Sequence, residues 1–472
     1  MAAREERDII GAEVSTLMRL SRIGRLSAAG LLTLILLVLN LRLYGPESKA
    51  YGPDRLGPDV EAQLRFIGGS LRAGSGDDMQ NVFPEGYFFS HVLYGLTWVE
   101  VGIRQPTGAP LYQEAVREAE WALERLDSPP GRAPFEVSLL PPHGVFYVGW
   151  TSWLRGGVLM IQPQADRPAV QVERFRADCR ALADAFTASD TPFLSAYPGQ
   201  AWPVDSVVAA AALRLYDTLY RPEFTRILDR WVGMARARLD PATGLLPHRV
   251  DAATGGVLEG ARGSSQSLIA RFLIEVDPDW GRSQYSVFRD LFLAPFLGVP
   301  GVREYPPGVH GFGDVDSGPV VFGFSASATV VEIGAAQVQG DREVADAILS
   351  AGEAVGLPLE WNSRKAYAFG MLPVGDAFLA WAKSASLWTD SWREGGFPSV
   401  SGSWWRVPFH VVTALLLSIL WIPLLRKSFF PIKGLPSFRE NDVRFAHSAK
   451  RTANKYSPPD ADGEQDSGSE FS

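Results

Sequence analysis

Cysteine is almost missing from this 472-residue chain, whose single one is Cys179. One thiol excludes an intramolecular disulfide, a multi-cysteine metal site and a redox pair of cysteines. Cys179 falls in a charged amphipathic segment, so we expect it to serve packing rather than nucleophilic catalysis. Positive charge is also limited, because 45 Lys and Arg face 53 Asp and Glu and leave a net charge of −8. That balance argues against a nucleic-acid partner, which a clustered basic surface would indicate.

The sequence also lacks the motifs of several common enzyme classes. It contains no GxSxG elbow, no P-loop and no Rossmann glycine fingerprint, so serine hydrolase, NTPase and dinucleotide-dependent chemistry find no support. No closely spaced set of His, Asp and Glu matches a metal-ligand signature, and we expect neither a metal nor another cofactor. The chain does have 46% hydrophobic and 11% aromatic residues, which is typical of a folded protein with a sizeable core.

Two long apolar runs indicate a membrane protein. They lie within residues 25–43 and 407–425, and each matches the roughly 20 residues with which a helix crosses a bilayer. A signal peptide is the alternative for the first run, but no small-x-small cleavage site closes it. A buried core helix is the alternative for the second, but tryptophans flank it and Arg426-Lys427 follows it. We therefore predict two transmembrane helices.

The flanking cations predict the orientation. Three arginines precede the first span (Arg19, Arg22 and Arg25), and Arg426, Lys427 and Lys433 follow the second, so the positive-inside rule places both termini in the cytoplasm. This predicts a two-pass protein of the cell membrane. Its segments are a cytoplasmic N-terminal segment (1–25), transmembrane helix 1 (26–43), an extracytoplasmic domain (44–403), transmembrane helix 2 (404–425) and a cytoplasmic, largely disordered tail (426–472), which is polar and acidic.

A repeat organises the middle of the chain. Six helical segments with few charges recur about 55–60 residues apart, a period typical of repeat architectures. They begin near Gly86, Phe146, Pro203, Gly263, Ser317 and Met371. Amphipathic, charged helices alternate with them and begin near Asp59, Leu111, Ala169, Pro222, Ser283 and Asp341. Six inner and six outer helices predict an all-α domain, an (α/α)6 toroid that closes on itself, with one β-hairpin at residues 244–260.

The loops that lead into the inner helices should gather at one end of such a ring, which we call the mouth. Acids and histidines concentrate there beside aromatic residues, which favours a concave pocket with convergent polar groups. The catalytic candidates are Asp314, Asp316, Asp205 and His310. The substrate-binding candidates are Glu85, His143, Trp150, Trp202, His248, Arg249 and Tyr367. For each histidine, a structural hydrogen-bonding role is the alternative.

Val-Asp-Ser occurs twice, at residues 204–206 and 315–317, and both copies are predicted to open an inner helix. Asp205 and Asp316 could therefore be helix N-caps, whose side chains accept hydrogen bonds from the free N–H groups of a first turn. Two carboxylates in one glycine-rich loop, Asp314 and Asp316, exceed what a single cap requires. Neighbouring carboxylates push their pKa values apart, as acid–base catalysis needs.

Several segments resemble, in order and spacing, the linalool dehydratase/isomerase family. They are AQLRFI (62–67), FSHVLYGLTWVEVGIRQP (89–106), FYVGWTSWLRGG (146–157), PVDSVVAAAALRLYDTLYRPEF (203–224), LDPATGLLPHRVDAATGGV (239–257) and GDVDSGPVVFGFSASAT (313–329). The resemblance spans about residues 62–381 and implies an (α/α)6 toroid with a pocket at its mouth. The family's catalytic Asp would align near Ser70, its His with Trp150, and its two Cys near Tyr197 and Val204. None of these catalytic residues is retained in this chain, so a different reaction is expected.

These features lead to one functional hypothesis and one rival. The hypothesis is a membrane-anchored extracytoplasmic hydrolase or lyase that uses acid–base chemistry on a small-molecule, glycan or isoprenoid/lipid substrate. Paired carboxylates beside aromatic platforms suit glycoside hydrolysis or elimination, while the family resemblance and the membrane tether favour a lipid. The rival is a non-catalytic binding or scaffolding subunit of an envelope complex.

Overall fold

A computed structural model describes residues 2–44, 55–389, 397 and 402–429. The chain forms two compact units, residues 1–29 with 416–472 and residues 30–415. The helices are α1 (Ala2–Arg42), α2 (Pro58–Arg72), α3 (Ser75–Val82), α4 (Gly86–Ile103), α5 (Pro110–Asp127), α6 (Pro129–Arg132), α7 (Gly144–Ile161), α8 (Ala169–Ala188), α9 (Pro203–Leu219), α10 (Thr225–Arg236), α11 (Gly263–Val276), α12 (Pro278–Phe292), α13 (Ala326–Gln339), α14 (Arg342–Val355), α15 (Pro373–Ser384) and α16 (Arg406–Phe429). Most of the predicted tail lies outside the described residues.

The larger unit is a closed ring of helices. Each of the inner helices α4, α7, α9, α11, α13 and α15 packs on the next, and α15 packs back on α4. The outer helices α2, α5, α8, α10, α12 and α14 pack against them. The structure thus confirms a mostly helical domain with the toroid arrangement that the repeat predicted.

Short strands correct the all-α prediction. The strands are β1 (Gln200–Ala201), β2 (Arg249–Asp251), β3 (Val257–Glu259), β4 (Leu293–Phe296), β5 (Val299–Val302), β6 (Val320–Val321), β7 (Phe324–Ser325), β8 (Leu359–Trp361) and β9 (Arg364–Ala366). In the described ranges, β1–β2–β3 form one antiparallel sheet, and β4–β5, β6–β7 and β8–β9 form hairpins. The predicted hairpin at residues 244–260 is present as β2–β3. The other hairpins escaped the sequence prediction because strands of two to four residues show no usable alternation.

The fifth inner helix begins later than predicted. The pattern placed its start near Ser317, but α13 begins at Ala326. Gly318 and Gly323 have φ of 59° and 85°, and with Pro319 they form a turn and the β6–β7 hairpin instead. Ser325 is the N-cap, and its side chain accepts a hydrogen bond from the Ala328 N–H at 3.1 Å. Asp316 therefore lies on a loop ahead of the helix.

One end of the ring is closed by the segment that follows α15. Trp388 stacks on Trp153 with ring centroids 4.5 Å apart and an interplanar angle of 5°. Its indole N–H donates to Glu100 Oε1 at 2.9 Å, and its backbone N–H donates to Glu275 Oε2 at 3.1 Å. Both glutamates are buried and lie near the C-terminal ends of α4 and α11. The ring is therefore sealed opposite the mouth.

Two helical stretches within the described residues are long and apolar enough to cross a membrane, Leu20–Arg42 and Arg406–Leu425, and only 6% of the apolar window in each is buried. In the larger unit, their polar ends are hydrogen-bonded to each other. His410 Nδ1–H donates to Asn40 Oδ1 at 2.6 Å, and the Tyr44 hydroxyl donates to His410 Nε2 at 2.7 Å. Leu43 is fully buried in a cluster with Trp405 and residues of α14. The end of α1 is thus fixed to the domain.

Replacing Trp388 with Ala should destabilise the domain by about 3–5 kcal/mol, because it leaves a cavity beside Trp153 and removes a buried donor to Glu100. Chemical unfolding of the full chain in detergent would measure the loss. Leu258→Ala, at an exposed side chain of β3, serves as the control and should change the unfolding free energy little. An equal effect of the two substitutions would contradict a sealing role for Trp388.

Candidate functional site

Arg262 is the centre of the polar site at the mouth. It is the N-cap residue of α11, where the chain leaves the β2–β3 hairpin. Its Nε donates to Glu304 Oε1 at 2.7 Å and its Nη1 donates to Asp314 Oδ2 at 2.5 Å. Burial disfavours the charge of Arg262, but the hydrogen bonds and charges of Asp314 and Glu304 outweigh burial and raise its pKa. The guanidinium therefore stays ionised and ties two loops together.

His248 supports this arginine rather than facing the mouth as a charged group. Its Nε2 accepts from Arg262 Nη1 at 3.2 Å, so the proton lies on Nδ1, which donates to Ser265 Oγ at 2.5 Å. Burial, followed by the Arg262 charge, lowers the pKa of His248 to about 4. The imidazole is neutral at physiological pH and orients the guanidinium.

Asp314 and Asp316 share a loop but have opposite environments. Asp314 Oδ1 accepts from the backbone N–H of Asp316 at 3.1 Å and from that of Ser317 at 3.2 Å. Burial is the largest single influence and acts against the charge of Asp314, but the hydrogen bond and charge of Arg262, with the hydrogen bond from the Ser317 N–H, together outweigh it and lower the pKa. The Asp316 carboxyl has no hydrogen-bond partner in the described part of the chain. Although solvent reaches it, surrounding protein desolvates it and the charges of Asp314 and Glu85 add to that effect, raising its pKa to about 7.

Asp205 is a buried carboxyl without a structural partner. It lies in the first turn of α9, where Trp202 is the N-cap residue, and no described group hydrogen-bonds to its side chain. Burial, together with the charges of Asp316 and Glu85, raises its pKa far above the usual range. Neither Asp205 nor Asp316 is an N-cap, so the capping explanation is wrong for both. A buried acid with no partner is what a functional role would require.

Glu85 and Tyr197 complete the acidic group. The Tyr197 hydroxyl donates to Glu85 Oε1. Burial and the charges of Glu85 and Asp205 raise the pKa of Tyr197, so it remains a donor. Trp202 is half-buried beside it, with the two rings edge to face at 5.9 Å. We call Glu85, Asp205, Asp314 and Asp316 the carboxylate cluster; Glu85, Asp314 and Asp316 come from loops that lead into inner helices, and Asp205 comes from the first turn of one.

Other candidates lie elsewhere. Trp150 is 1% exposed and packs on Phe272 and Trp381 inside the ring, so it is too deeply buried to be the pocket wall that was expected. His143 has φ of 72° as the N-cap residue of α7, and its Nδ1–H donates to the Phe135 carbonyl at 3.0 Å. These contacts match the structural alternative for that histidine.

Three further candidates are also separate from the carboxylate cluster. His310 is exposed on the loop before Asp314, and no described contact joins it to the cluster. Tyr367 belongs to a different buried network, in which Lys383 donates to its hydroxyl at 2.5 Å and Tyr367 donates to Glu353. Arg249 pairs with Glu259 at 2.7 Å at the edge of the site. The site residues predicted from the sequence did not include Arg262, Glu304 or Tyr197. Arg262 and Tyr197 lie in loops that the repeat predicts to be at the mouth, whereas Glu304 does not.

A metal ion fits this site poorly. One ligand atom each from His248, Asp314 and Asp316 lie within 4.8 Å of one another, a spacing that a cation could bridge. The Arg262 guanidinium, however, already contacts both His248 Nε2 and Asp314 Oδ2. A metal would have to displace a buried arginine that is also bound to Glu304, so positive charge is supplied here by the chain itself.

Comparison with known proteins finds no matching family model and no significant match among characterised sequences. Similar solved structures include the following two. Unsaturated glucuronyl hydrolase from Bacillus sp. GL1, responsible for the degradation of glycosaminoglycan, has 13% identity and a TM-score of 0.39 over 62% of this chain and 85% of that one. A chain described as UGL with dGlcA-Glc-Rha-Glc has 14% identity and a TM-score of 0.36 with the same coverage. Nothing about function follows at this similarity. No finding supports the linalool dehydratase/isomerase family specifically.

Substituting Arg262 by Gln should destabilise the domain by about 3–5 kcal/mol, because fully buried Glu304 would lose its counter-charge. The matched control is Arg249→Gln, whose pair with Glu259 is about one-third exposed on both sides and should contribute less than about 1 kcal/mol. Thermal unfolding of both variants at pH 7 measures the difference. Equal stability losses would show that the site does not depend on Arg262.

Proposed function

We propose that the protein is a membrane-anchored hydrolase or lyase that applies acid–base chemistry to a hydroxylated substrate of the glycan class. The observation that carries this proposal is the environment of Asp316. Its carboxyl lacks a hydrogen-bond partner in the described structure, and its pKa of about 7 keeps a large protonated fraction at neutral pH. A carboxylic acid of this kind can donate a proton to a leaving oxygen.

Asp205 is the proposed partner of Asp316. Burial, the Asp316 charge and the Glu85 charge raise the pKa of Asp205, and Glu85 also raises the pKa of Asp316, so Asp205 holds a proton that an isolated aspartate would have lost. In the proposed reaction, Asp316 protonates the leaving-group oxygen. Glu85 lies near enough to Asp316 to raise its pKa and is the candidate base, whereas Asp205, whose pKa is raised further, is a second candidate proton donor. Asp314, held ionised by Arg262, keeps the Asp316 pKa high and fixes the loop through its hydrogen bond from the Asp316 N–H.

The surroundings of the carboxylate cluster suit a polar substrate with flat apolar faces. The ring is sealed at its opposite end by Trp388 and filled by aromatic side chains, which leaves the mouth as the accessible side. Half-buried Trp202 and Tyr197 offer rings next to the acids. Sugar rings stack on aromatic faces while their hydroxyls bind carboxylates, so this combination favours a glycan.

Anchoring in the membrane is supported by the exposure of the two apolar stretches. A core helix of a soluble protein would be buried, whereas both stretches leave nearly all of their apolar surface open. A cleaved signal peptide would remove Leu43 from its buried position and Asn40 from His410. We therefore propose two membrane spans, with both termini in the cytoplasm and the ring domain outside, as the flanking arginines and lysines indicate.

A binding or scaffolding role is the second candidate. The loop that holds the acidic pair carries Phe312, which is fully exposed, and exposed Val309 and Val315. Exposed apolar side chains of this kind can contact another macromolecule. They do not explain why Asp205 is buried with no hydrogen-bond partner among the described residues, so we place catalysis first.

The decisive test is a mass-spectrometric screen of the full chain in nanodiscs against envelope glycans and isoprenoid alcohols. Asp316→Asn should lower turnover at least about 100-fold, the usual contribution of a general acid. Asp229→Asn, at an exposed position of outer helix α10, is the matched control and should retain activity. Turnover that survives in Asp316→Asn would remove Asp316 as the acid. If the folded wild-type protein turns over nothing in the screen, the scaffolding role replaces the enzyme.

The pH dependence of kcat/KM tests the same assignment independently. Because the Asp316 pKa is raised, the acid is protonated at low pH and is lost as pH rises through about 7. We expect kcat/KM to fall about tenfold per pH unit above that value. Asp314→Asn removes a neighbouring negative charge, so the Asp316 pKa should fall and the alkaline limb should move to lower pH. In the control Asp229→Asn, the alkaline limb of the pH profile should stay where it is in the wild type. If it also stays there in Asp314→Asn, the titration belongs to a group other than Asp316.

A further inference from the structure

Two hairpins of the ring domain place bulky apolar residues where turns normally carry asparagine or glycine. The loop between β4 and β5 consists of Leu297 and Gly298, with φ of 49° and 89°. The loop between β6 and β7 consists of Phe322 and Gly323, with φ of 51° and 85°. Two-residue loops with positive φ at both positions strongly prefer Asn-Gly, because large side chains are strained there. Local strain of this kind is retained where it serves a function.

The two tips form one exposed apolar patch. The rings of Phe296 and Phe322 lie 5.8 Å apart at an interplanar angle of 25°. Their side chains are 38% and 82% exposed, and Leu297 is 49% exposed. We call Phe296, Leu297 and Phe322 the apolar tips. The β8–β9 hairpin provides an internal contrast, since its two loop residues also have positive φ, 45° and 61°, but are polar Asn362 and Ser363.

The apolar tips lie beside the point where α16 begins. A Cβ on Gly298 would be 2.3 Å from the Trp405 carbonyl oxygen and 2.9 Å from Pro408 Cγ, so this turn is in direct contact with the start of the second apolar stretch. Val299 packs in the cluster that contains Leu43, at the end of the first stretch. Trp404, next to this contact, is 75% exposed. Tryptophan at the end of a membrane span is typical of the lipid–water interface.

We propose that the apolar tips insert into the lipid interface on the side of the membrane that holds the ring domain. The proposal rests on the membrane anchoring proposed above and commits to lipid as the occupant of the patch. Lipid is favoured because the patch is continuous with the ends of both apolar stretches, and a span that starts at Arg406 brings the Leu297–Gly298 turn to the level of the headgroups.

Insertion of the tips would bring the carboxylate cluster to the membrane surface. The Glu304 N–H donates to the Gly323 carbonyl at 2.9 Å, which ties the β6–β7 tip to the residue that accepts from Arg262. Arg262 in turn binds Asp314 in the acidic loop. The mouth therefore takes a substrate whose polar head projects from the bilayer, and the substrate class narrows to lipid-linked glycans.

Site-specific labelling tests the insertion without any activity assay. Cys179 is fully buried and burial raises the pKa of its thiol, so a cysteine introduced at an exposed position is the one that reacts. Full-length Phe322→Cys is labelled with NBD and placed in phosphatidylcholine/phosphatidylglycerol vesicles with or without doxyl-labelled lipid. Doxyl lipid should quench the fluorescence at least about twofold, because a tip at the interface lies within contact range of the quencher. Ser363→Cys, on the polar tip of the same geometry, is the control and should be quenched little.

Four other outcomes would overturn the insertion of the apolar tips. A blue-shifted label that lipid does not quench would show that the chain's own segments at 45–54 or 390–401 cover the tips. A shift that grows with protein concentration would assign the patch to a second copy. Equal quenching at positions 322 and 363 would show no selective insertion. Wild-type protein that washes off the vesicles would disprove the anchoring itself, whereas quenching without turnover in the glycan screen would leave the insertion standing and remove the enzyme.

A second variant tests the link to the substrate. Leu297→Asn/Phe322→Asn should fold at least as well as the wild type, because asparagine accepts positive φ. It should lower turnover of a lipid-linked glycan at least about tenfold through loss of apolar burial at the interface, and leave turnover of the free head group unchanged. If the variant changes the turnover of the lipid-linked glycan and of the free head group by the same factor relative to the wild type, lipid-linked glycans are not the preferred substrate class.

Discussion

The contact between α15 and α4 closes the ring of inner helices, and the arrangement of the loops at the mouth depends on that closure. A ring of helices encloses an axis that must be filled, because an empty channel would forfeit packing and expose apolar walls. Small residues allow the inner helices to approach closely: a Cβ on Gly149 would lie 3.2 Å from the Ala209 side chain. A Cβ on Gly157 would clash with the Trp388 ring at 2.6 Å, so this glycine provides the space in which the sealing tryptophan sits. The few charges and many small residues of the inner helices are thus a packing requirement.

With one end of the ring sealed, the negative charges of the acidic side chains must be neutralised at the other end, the mouth. The loops of the mouth contribute more acids than bases, and Arg262 neutralises only part of them. Glu304 and Asp314 are paired with it, while Asp205 and Asp316 are not. The pKa values of these two carboxyls rise because the surrounding protein desolvates them and because the charge of Glu85 lies near both. The contrast between paired and unpaired acids arises from one guanidinium, and His248 is neutral because it is buried and also faces the same positive charge.

Sequence periodicity was sufficient to predict the ring, since inner helices that are hydrophobic all round differ from outer helices with one polar face. It also placed Glu85, Asp205, Asp314 and Asp316 at one end, because their loops recur with the repeat. Periodicity could not predict which way a residue faces near a helix start, so Trp150 was expected in the pocket but lies inside the ring. Tyr367 was assigned to the mouth on the same basis, although its hydroxyl bonds Glu353 and Lys383. Glu304 could not be found because it follows a hairpin that the sequence does not reveal.

The two unusual features of the mouth reinforce each other physically. Apolar tips near a bilayer would exclude water from one side of the opening, and a low-dielectric boundary favours the neutral form of a nearby carboxyl. Anionic headgroups would act in the same direction, because a negative surface potential attracts protons and repels a second negative charge. Both effects would raise the pKa of Asp316 further above that of an ordinary aspartate. A general acid at this position would then be more fully protonated when the protein is in its membrane than when it is in detergent, and the acid form would be most populated where a lipid-linked substrate is presented.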